Sequence, residues 1–348
     1  MKKQIKLSDI LFNEFKRDLS IEQTQLLKYL QIDNIAELNP VCLFRIINQN
    51  TGEEIVAKIK KIDQNVSFIE QKLSINDFDT FVFDMDGTLL DQNKNIVPAN
   101  LEMLNKLAKM GKNICIATGR AIFMLDNYLD KIPYNKPFLC ANGGMVYDHK
   151  SMQMISNFNI KHEDAYLLMD KCEELNLGYY VFWSNGLVGV NVENSVDFKT
   201  RDYSKMMKPE FWKLNPGRSF LDDKKICKIL VTFDAHQVDD IAKFAEYVKN
   251  FKSLIGVQTQ KNFFDVGEPS SKALALVSIS KDYDIDLTKT VAFGDANNDA
   301  PTFEVAALSC APLNSMENAL NGATFVSQKT SNEDWIADFI EMQLINKK

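Results

Sequence analysis

The chain has 348 residues, of which 45% are hydrophobic and 25% charged, a composition typical of globular proteins with two or three domains. The formal net charge of -7 argues against a general nucleic-acid-binding surface. No apolar run approaches the roughly 20 residues that cross a bilayer, no signal peptide is recognisable, and the six cysteines form no Cys-x-x-Cys pair. These features predict a cytoplasmic protein with free, buried thiols and with neither nucleic acid nor membrane as a partner, and they leave its oligomeric state open.

Residues 1–77 are predicted to form an extra α+β segment at the start of the chain. Apolar residues at helical spacing predict helices up to about residue 40. Two β-rich runs, 41–47 and 54–59, flank a turn that contains Asn and Gly, which predicts a hairpin. This segment has no catalytic motif, so packing on its neighbours and a separate binding or assembly role both remain open.

An alternation of strands and helices begins near residue 77 and predicts a parallel sheet. Its first strand ends on Asp84 and Asp86, which are followed by Gly87 and Thr88. Alternate side chains of an extended chain share a face, so the two carboxylates can converge on one site. Two acids this close repel each other unless a cation or a proton lies between them, and Mg2+ prefers such oxygen ligands. The alternative is a strand that ends in an ordinary Asp-containing turn.

Two further predicted strands also end on polar residues. The strand at 113–117 ends on Thr118-Gly119-Arg120, where a hydroxyl and free backbone N–H groups can bind an anion. The strand at 290–293 ends on the sequence Gly-Asp-Ala-Asn-Asn-Asp at 294–299, and Lys272 begins the helix before it. Since the carboxyl ends of parallel strands lie at one edge of a sheet, these groups are predicted to share a pocket suited to a metal and a phosphoryl group.

The stretch between about 148 and 261 has a different pattern, with short strands and two helices. It predicts an α+β insert built on an antiparallel sheet. Just before it, a short predicted strand at 137–140 precedes Asn142. For Arg120 and Asn142, contact with a substrate and an ordinary structural role both remain open.

Four segments in this order resemble the four motifs of the haloacid dehalogenase superfamily: Asp84-Met85-Asp86-Gly87-Thr88, Ala117-Thr118-Gly119-Arg120, Lys272 and Gly294-Asp295-Ala296-Asn297-Asn298-Asp299. The long interval between the second and third motifs resembles the Cof-type sugar-phosphatase branch, whose members place a large cap there. The resemblance covers residues 78–348. It implies an α/β fold with a Rossmann-like parallel-sheet core at 78–147 and 262–348 and an inserted α+β cap at 148–261 that determines substrate specificity. The extra N-terminal α+β segment at 1–77 lies outside the resemblance.

The resemblance also implies a Mg2+-dependent phosphatase that acts on a small phosphorylated metabolite such as a sugar phosphate. Asp84 would attack phosphorus and form an aspartyl-phosphate, and Asp86 would serve as general acid and then general base. The implied phosphate contacts are Thr118, Lys272, Asn298 and the backbone at Met85 and Gly119, and the implied metal ligands or their supports are Asp84, Asp86, Asp295 and Asp299. A phosphotransferase or phosphomutase on the same scaffold remains the alternative.

Overall fold

The computed structural model describes residues 4–7, 19–22, 42–48, 52, 54–62, 65–155, 158–193, 195, 198–199, 207–260 and 262–346. The chain forms two compact units. The first contains Met1–Thr118, Ile132–Pro137 and Lys272–Lys348, and the second contains Gly119–Lys131 and Phe138–Ser271. The domain boundaries placed after residues 77, 147 and 261 stay predictions. None of the helices within the described ranges is both long enough and apolar enough to cross a membrane.

The N-terminal region forms a five-stranded sheet in the order β1-β3-β4-β5-β2. The predicted hairpin is present as the antiparallel pair β3 and β4. The helix prediction was wrong at β1 and β2, because these four-residue segments pair with neighbouring strands, and such pairing outweighs a short helical spacing. The rest of that prediction, at 8–18 and 23–41, lies outside the described residues. The strands are β1 Gln4–Leu7, β2 Leu19–Glu22, β3 Leu43–Asn48, β4 Glu54–Ile62 and β5 Asn65–Glu70.

This sheet is attached to the C-terminal part of the first unit through β3. The amide of Leu43 donates a hydrogen bond to the carbonyl of Ala307 (2.8 Å), and the Thr324 hydroxyl donates to the carbonyl of Leu43 (3.4 Å). The preceding residue, Cys42, is fully buried, and its thiol donates to the carbonyl of Glu304 (3.0 Å). The N-terminal segment therefore packs against the unit that carries the sequence motifs.

The first α/β elements of this unit are β6 (Thr80–Phe83), α1 (Pro98–Lys109) and β7 (Asn113–Ile116). The predicted helix at α1 is confirmed. It begins at a proline, whose missing N–H is tolerated in the first turn, and Gly111 with φ +75° lies just beyond its end.

The second unit is α+β, as the pattern predicted. A three-stranded antiparallel sheet contains β8 to β10, and a six-stranded sheet has the order β13-β12-β11-β14-β16-β15, with α3 and α4 packed on one face. The elements are α2 Asp126–Leu129, β8 Phe138–Cys140, β9 Met145–Asp148, β10 Gln153–Met154, α3 His162–Glu174, β11 Gly178–Trp183, β12 Gly186–Val190, β13 Trp212–Leu214, β14 Ile226–Thr232, α4 Val238–Val248, β15 Ile255–Gln260 and β16 Phe263–Gly267.

The chain then returns to the first unit and completes its parallel sheet, whose order is β19-β18-β17-β6-β7. All four neighbouring pairs are parallel, which confirms the α/β fold class. The final elements are α5 Lys272–Ser280, β17 Thr290–Phe293, α6 Ala300–Val305, β18 Leu308–Ala311, α7 Glu317–Gly322, β19 Phe325–Val326, α8 Trp335–Phe339 and a π-helical segment at Ile340–Ile345.

Candidate active site

Three neighbouring strands of the parallel sheet end at the same level. Phe83, the last residue of β6, pairs with Phe293 at the end of β17 and with Ile116 at the end of β7. The rings of Phe83 and Phe293 stack with their centroids 4.8 Å apart. The polar residues that follow these strands, Asp84 among them, therefore begin at one edge of the sheet.

Lys272 connects two of these polar segments. Its ammonium donates hydrogen bonds to Oδ1 of Asp84 (2.6 Å) and to Oδ1 of Asp299 (2.7 Å). All three residues are buried, with exposed fractions of 5% or less. A buried charge needs paired partners, and here one cation lies between two carboxylates.

The pKa values of Asp84 and Lys272 are both shifted in this buried arrangement. Burial raises the pKa of Asp84 well above its ordinary value, because the opposing attraction of Lys272 is smaller and the charges of Asp299 and Asp295 raise it further. Burial alone would lower the pKa of Lys272, but the carboxylates of Asp299 and Asp84 outweigh it, and the pKa is raised. Lys272 is therefore charged at neutral pH.

The loop after β17 is organised by the second carboxylate oxygen of Asp299. This Oδ2 accepts hydrogen bonds from the amides of Asp295 and Ala296, each at 3.0 Å. Asp295 in turn accepts a hydrogen bond from the Thr88 hydroxyl at Oδ1 (2.7 Å). Burial raises the pKa of Asp295 to about 6, against the effect of that hydrogen bond, and the neighbouring charge of Asp299 adds to the rise.

Two glycines allow the backbone to lie close to the side chains of Asp295 and Asp299. Gly87 has φ +83°, and a Cβ at that position would lie 2.4 Å from Oδ2 of Asp295. A Cβ on Gly294 would lie 2.4 Å from both Cβ and Cγ of Asp299. Any larger residue at either position would displace an acid of the site.

The acids provide the donor set of a hard metal ion. Asp84, Asp295 and Asp299 each offer one carboxylate oxygen, and these atoms all lie within 4.8 Å of one another. Mg2+ and similar hard cations bind such oxygen atoms, whereas the site has neither thiolate nor imidazole among these three ligands. The residues present therefore fit a divalent cation of this kind.

The remaining predicted residues of the first unit have different environments. Asp86 is partly exposed, and the ammonium of Lys94 donates a hydrogen bond to its Oδ1 (2.8 Å). Thr118 is fully buried two residues after β7, and Met85 is fully buried directly after Asp84. Asn298 is exposed in the loop before α6.

Three of the predicted site residues belong to the second unit: Gly119, Arg120 and Asn142. The guanidinium of Arg120 lies 5.3 Å from the ring centroid of Tyr128, a cation–π contact. Asn142 has φ +56°, and its Oδ1 lies 3.2 Å from the position that a Cβ on Gly119 would take. Their contacts with substrate remain predictions.

Sequence reasoning missed three residues that support the site. Thr88 was noted only as part of a motif, since its hydrogen bond to Asp295 depends on strand order. Trp335 donates from Nε1 to the carbonyl of Thr88 (2.9 Å), and its ring lies edge-on to Phe293 with centroids 5.8 Å apart. Lys94 has φ +64° and lies in a turn where Oδ1 of Asp91 accepts two backbone hydrogen bonds, each at 2.8 Å. In the sequence, only the cluster of polar residues around Lys94 indicates this turn.

Comparison with known proteins points to one family. The profile of the haloacid dehalogenase-like hydrolases matches residues 81–340. The Bacillus subtilis 5-amino-6-(5-phospho-D-ribitylamino)uracil phosphatase YwtE is 26% identical over 280 residues, which cover 75% of this chain and 96% of that protein. The Escherichia coli pyridoxal phosphate phosphatase YbhA is 22% identical over 266 residues, which cover 75% and 97%.

A solved structure shows the same fold. A haloacid dehalogenase-like hydrolase from Bacteroides thetaiotaomicron superimposes with a TM-score of 0.65 at 21% identity, over 76% of this chain and 98% of that chain. The family profile begins at residue 81, so the N-terminal sheet lies outside the part that it matches.

Proposed function

This chain belongs to the haloacid dehalogenase-like hydrolases and is a phosphoric monoester hydrolase, and from that premise we propose that it is a Mg2+-dependent phosphatase of small phosphorylated metabolites. The reaction would pass through an aspartyl-phosphate on Asp84. The observation that carries the proposal is the buried arrangement in which Lys272 lies between Asp84 and Asp299. Such an arrangement costs stability compared with an apolar core, which supports a chemical role.

Asp84 is the proposed nucleophile. An oxygen of its carboxylate attacks phosphorus, the ester P–O bond breaks, and the phosphoryl group is transferred to Asp84. The attack needs the ionised carboxylate, and the ammonium of Lys272 at 2.6 Å favours that form. Water then attacks the aspartyl-phosphate at phosphorus, releases inorganic phosphate and restores Asp84.

Asp86 is the proposed general acid and base. It donates a proton to the leaving oxygen in the first step and accepts a proton from the attacking water in the second, so its protonation state is restored in each cycle. Asp86 is partly exposed, whereas Asp84 is buried. The two neighbouring acids thus have different environments, which supports different roles for them.

The phosphoryl group carries negative charge and needs donors around it. We assign this role to the ammonium of Lys272, the hydroxyl of Thr118, the side chain of Asn298 and the backbone N–H groups at Met85 and Gly119. Arg120 and Asn142 complete the proposed set of substrate contacts. The assignment is supported most directly for Lys272, because its ammonium is buried beside the proposed nucleophile Asp84.

Mg2+ is the proposed cofactor. Asp84, Asp295 and Asp299, whose oxygen atoms form one cluster, would hold it together with the main-chain carbonyl of Asp86. When bound, the ion supplies positive charge that neutralises the phosphoryl oxygens and the clustered acids. Without it, burial, with a smaller contribution from the charge of Asp299, raises the pKa of Asp295 to about 6.

A sugar phosphate or a related hydroxylated metabolite is the proposed substrate class. One relative is named for a substrate with a phosphorylated ribityl chain, and another for pyridoxal phosphate, so small phosphate monoesters are common to both names.

The six cysteines are free and buried, which supports the proposed cytoplasmic, reducing location.

A screen of phosphorylated metabolites with the purified protein tests this proposal. We expect release of inorganic phosphate that requires Mg2+, stops with EDTA and returns when Mg2+ is added in excess. Phosphate that appears on an acceptor sugar instead of in solution would indicate a phosphotransferase or phosphomutase. Turnover that is unaffected by EDTA would contradict the proposed metal dependence.

A further inference from the structure

Three hydrogen bonds fix Asp295 in its loop. Its amide donates to Oδ2 of Asp299 (3.0 Å), and its carbonyl accepts from the amide of Met316 (2.7 Å). Its side chain accepts the third bond at Oδ1, from the hydroxyl of Thr88 (2.7 Å). The first two bonds fix the backbone of Asp295, whereas the third fixes the rotation of its carboxylate. The direction in which this proposed metal ligand presents its oxygen atoms therefore depends on Thr88.

Thr88 is in turn held by Trp335. The indole Nε1 of Trp335 donates a hydrogen bond to the carbonyl of Thr88 (2.9 Å), although 247 positions separate the two residues in the chain. Both residues are fully buried. The carbonyl that accepts from Trp335 and the hydroxyl that binds Asp295 belong to the same residue. The two bonds therefore connect the indole with the carboxylate through a single residue.

The indole ring also packs against the strand that leads to Asp295. It lies edge-on to the ring of Phe293, with centroids 5.8 Å apart. Phe293 is the last residue of β17, two positions before Asp295. It also stacks on Phe83, which directly precedes Asp84. Trp335 therefore contacts both the loop after β6 and the end of β17, the two segments that supply Asp84 and Asp295.

The position of Trp335 is itself fixed by Asn100 on α1. The side-chain amide of Asn100 donates to the carbonyl of Glu333 (3.2 Å), and its Oδ1 accepts from the amide of Ala337 (3.1 Å). These two residues flank Trp335 in the chain. Asn100 is fully buried, which strengthens both bonds. The start of α8 is thus anchored to α1, and the indole N–H is held in place beside Thr88.

Core packing alone does not account for this arrangement. Phenylalanine at position 335 would fill much of the same space and keep an aromatic contact with Phe293, but it has no N–H. A buried indole N–H needs an acceptor, and here the acceptor belongs to the residue whose hydroxyl holds Asp295. Partners that orient a metal ligand typically change metal affinity by about 10–100-fold when they are removed.

We propose that Trp335 is a positioning residue of the metal site. Its N–H holds Thr88, and the hydroxyl of Thr88 holds the carboxylate of Asp295 in the orientation that binds Mg2+. This inference rests on the proposed function, in which Asp295 is a metal ligand. It assigns an effect on metal affinity to a residue outside the sequence motifs, and no step of phosphoryl transfer involves Trp335 directly.

The test measures the dissociation constant of Mg2+ for the full chain by isothermal titration calorimetry, without substrate. For Trp335→Phe we expect this constant to rise by at least about tenfold, because the carboxylate of Asp295 is no longer held in one orientation. The value of kcat at saturating Mg2+ should change much less, since the bound ion itself then orients the carboxylate.

Thr290→Val is the matched control. Thr290 is also fully buried, and its hydroxyl donates to the carbonyl of Asp286 (2.8 Å) at the start of β17, the end opposite to Phe293. Like Trp335→Phe, this variant removes a hydrogen bond from a buried side chain to a backbone carbonyl, so it should also lower Tm. Its dissociation constant for Mg2+ should equal that of the wild type, because the lost bond lies at the other end of the strand.

A double-mutant cycle tests whether Trp335 acts through Thr88. Thr88→Val removes the hydroxyl that binds Asp295 and should by itself raise the dissociation constant at least about tenfold. Added to Thr88→Val, the change Trp335→Phe should weaken Mg2+ binding by less than about twofold. An undiminished effect of Trp335→Phe in that background would show that Trp335 does not act through this hydroxyl.

The outcomes separate this inference from the function on which it rests. If the wild type binds no Mg2+ and needs none for turnover, the proposed metal dependence fails, and this inference fails with it. If the wild type binds Mg2+ and Trp335→Phe binds it equally well, Trp335 only fills the core and the inference alone is overturned.

A second substitution covers the case in which Trp335→Phe does not fold. Benzothienylalanine at position 335 keeps the two-ring shape of the indole but has sulfur in place of the N–H group. We expect it to raise the dissociation constant of Mg2+ at least about tenfold. An unchanged constant in this protein would overturn the inference.

Discussion

The ammonium of Lys272 lies 2.6 Å from a carboxylate oxygen of Asp84, although 188 positions separate the two residues in the chain. The parallel pairing of β6 with β17 and the start of α5 at Lys272 bring them together. Both are buried, so their attraction is weakly screened by solvent. This pair links the fold of the first unit directly to its proposed chemistry.

Replacement of Lys272 by Met should destabilise the protein and abolish turnover. The variant leaves the carboxylates of Asp84 and Asp299 buried without their cation, which typically costs about 3–5 kcal/mol. Urea unfolding and steady-state kinetics measure both effects. Lys106→Met removes an exposed ion pair with Glu341 and serves as the control, with an expected change within about 0.5 kcal/mol. Equal unfolding free energies for the two variants would refute the role of Lys272 as a buried partner.

Gly87→Ala should lower activity much more than Gly111→Ala. Both glycines have positive φ, +83° and +75°, so both variants lose about 1 kcal/mol from backbone strain. Only at Gly87 would the new Cβ meet Asp295, at 2.4 Å, whereas nothing lies within 4 Å at Gly111. Thermal unfolding should show a loss of stability for both variants, at least as large for Gly87→Ala as for Gly111→Ala. Kinetics should show a loss of activity for Gly87→Ala alone. Equal activities would mean that the approach of Gly87 to Asp295 is unimportant.

The stability of the metal-free protein should depend on pH through Asp295. Its pKa is raised from 3.8 to about 6 in the folded state. Between these values the folded state holds a proton that the unfolded state has lost, so the unfolding free energy contributed by this group falls as pH rises through that window. Asp295→Asn removes this titrating group. The unfolding free energy of the variant minus that of the wild type should therefore rise by about 2–3 kcal/mol between acidic and neutral pH in EDTA. A difference independent of pH would contradict the raised pKa.

Mg2+ should reverse this loss at neutral pH. Binding of an ion at one hundred times its dissociation constant stabilises the folded state by about 2.7 kcal/mol. The rise in Tm on adding Mg2+ should shrink below about pH 6, where a proton competes for Asp295, and should be largely absent in Asp295→Asn. An equal rise in that variant would place the ion elsewhere.

Removal of residues 1–77 should lower Tm, with turnover retained at low temperature. The deletion removes the hydrogen bond from Leu43 to Ala307 and the one from Thr324 to Leu43, and it exposes the surface on which the buried Cys42 packs. The motif residues remain. Thermal unfolding, kinetics and light scattering compare the two proteins. An unchanged Tm would contradict this packing role, and loss of an oligomer with unchanged Tm and turnover would indicate a role in assembly.

Much of the first unit could be predicted because its signals are local. Apolar runs that stop abruptly on Asp84, Thr118 and Asp295 mark buried strands whose ends share one edge of a parallel sheet. Helix α1 has apolar residues at regular spacing, a proline near its start and Gly111 after its end, so its bounds follow from the chain itself.

The rest depends on pairings that a single sequence does not reveal. Strands β1 and β2 are four residues long, and the partners that make them strands lie far along the chain. The contact of Trp335 with Thr88 and the pair of Lys228 with Asp265 depend in the same way on strand order and register. Trp335, Lys228 and Asp265 belong to no motif, and their partners are distant in sequence.

The most direct test of the account is the turnover of para-nitrophenyl phosphate by Asp84→Asn in the presence of Mg2+. Asn has nearly the shape of Asp and can still accept a hydrogen bond from Lys272, so the fold and Tm should be retained. Because the amide is no nucleophile, we expect kcat/KM to fall by at least about 10³-fold. Activity within about tenfold of wild type in the folded variant would show that Asp84 does not attack phosphorus.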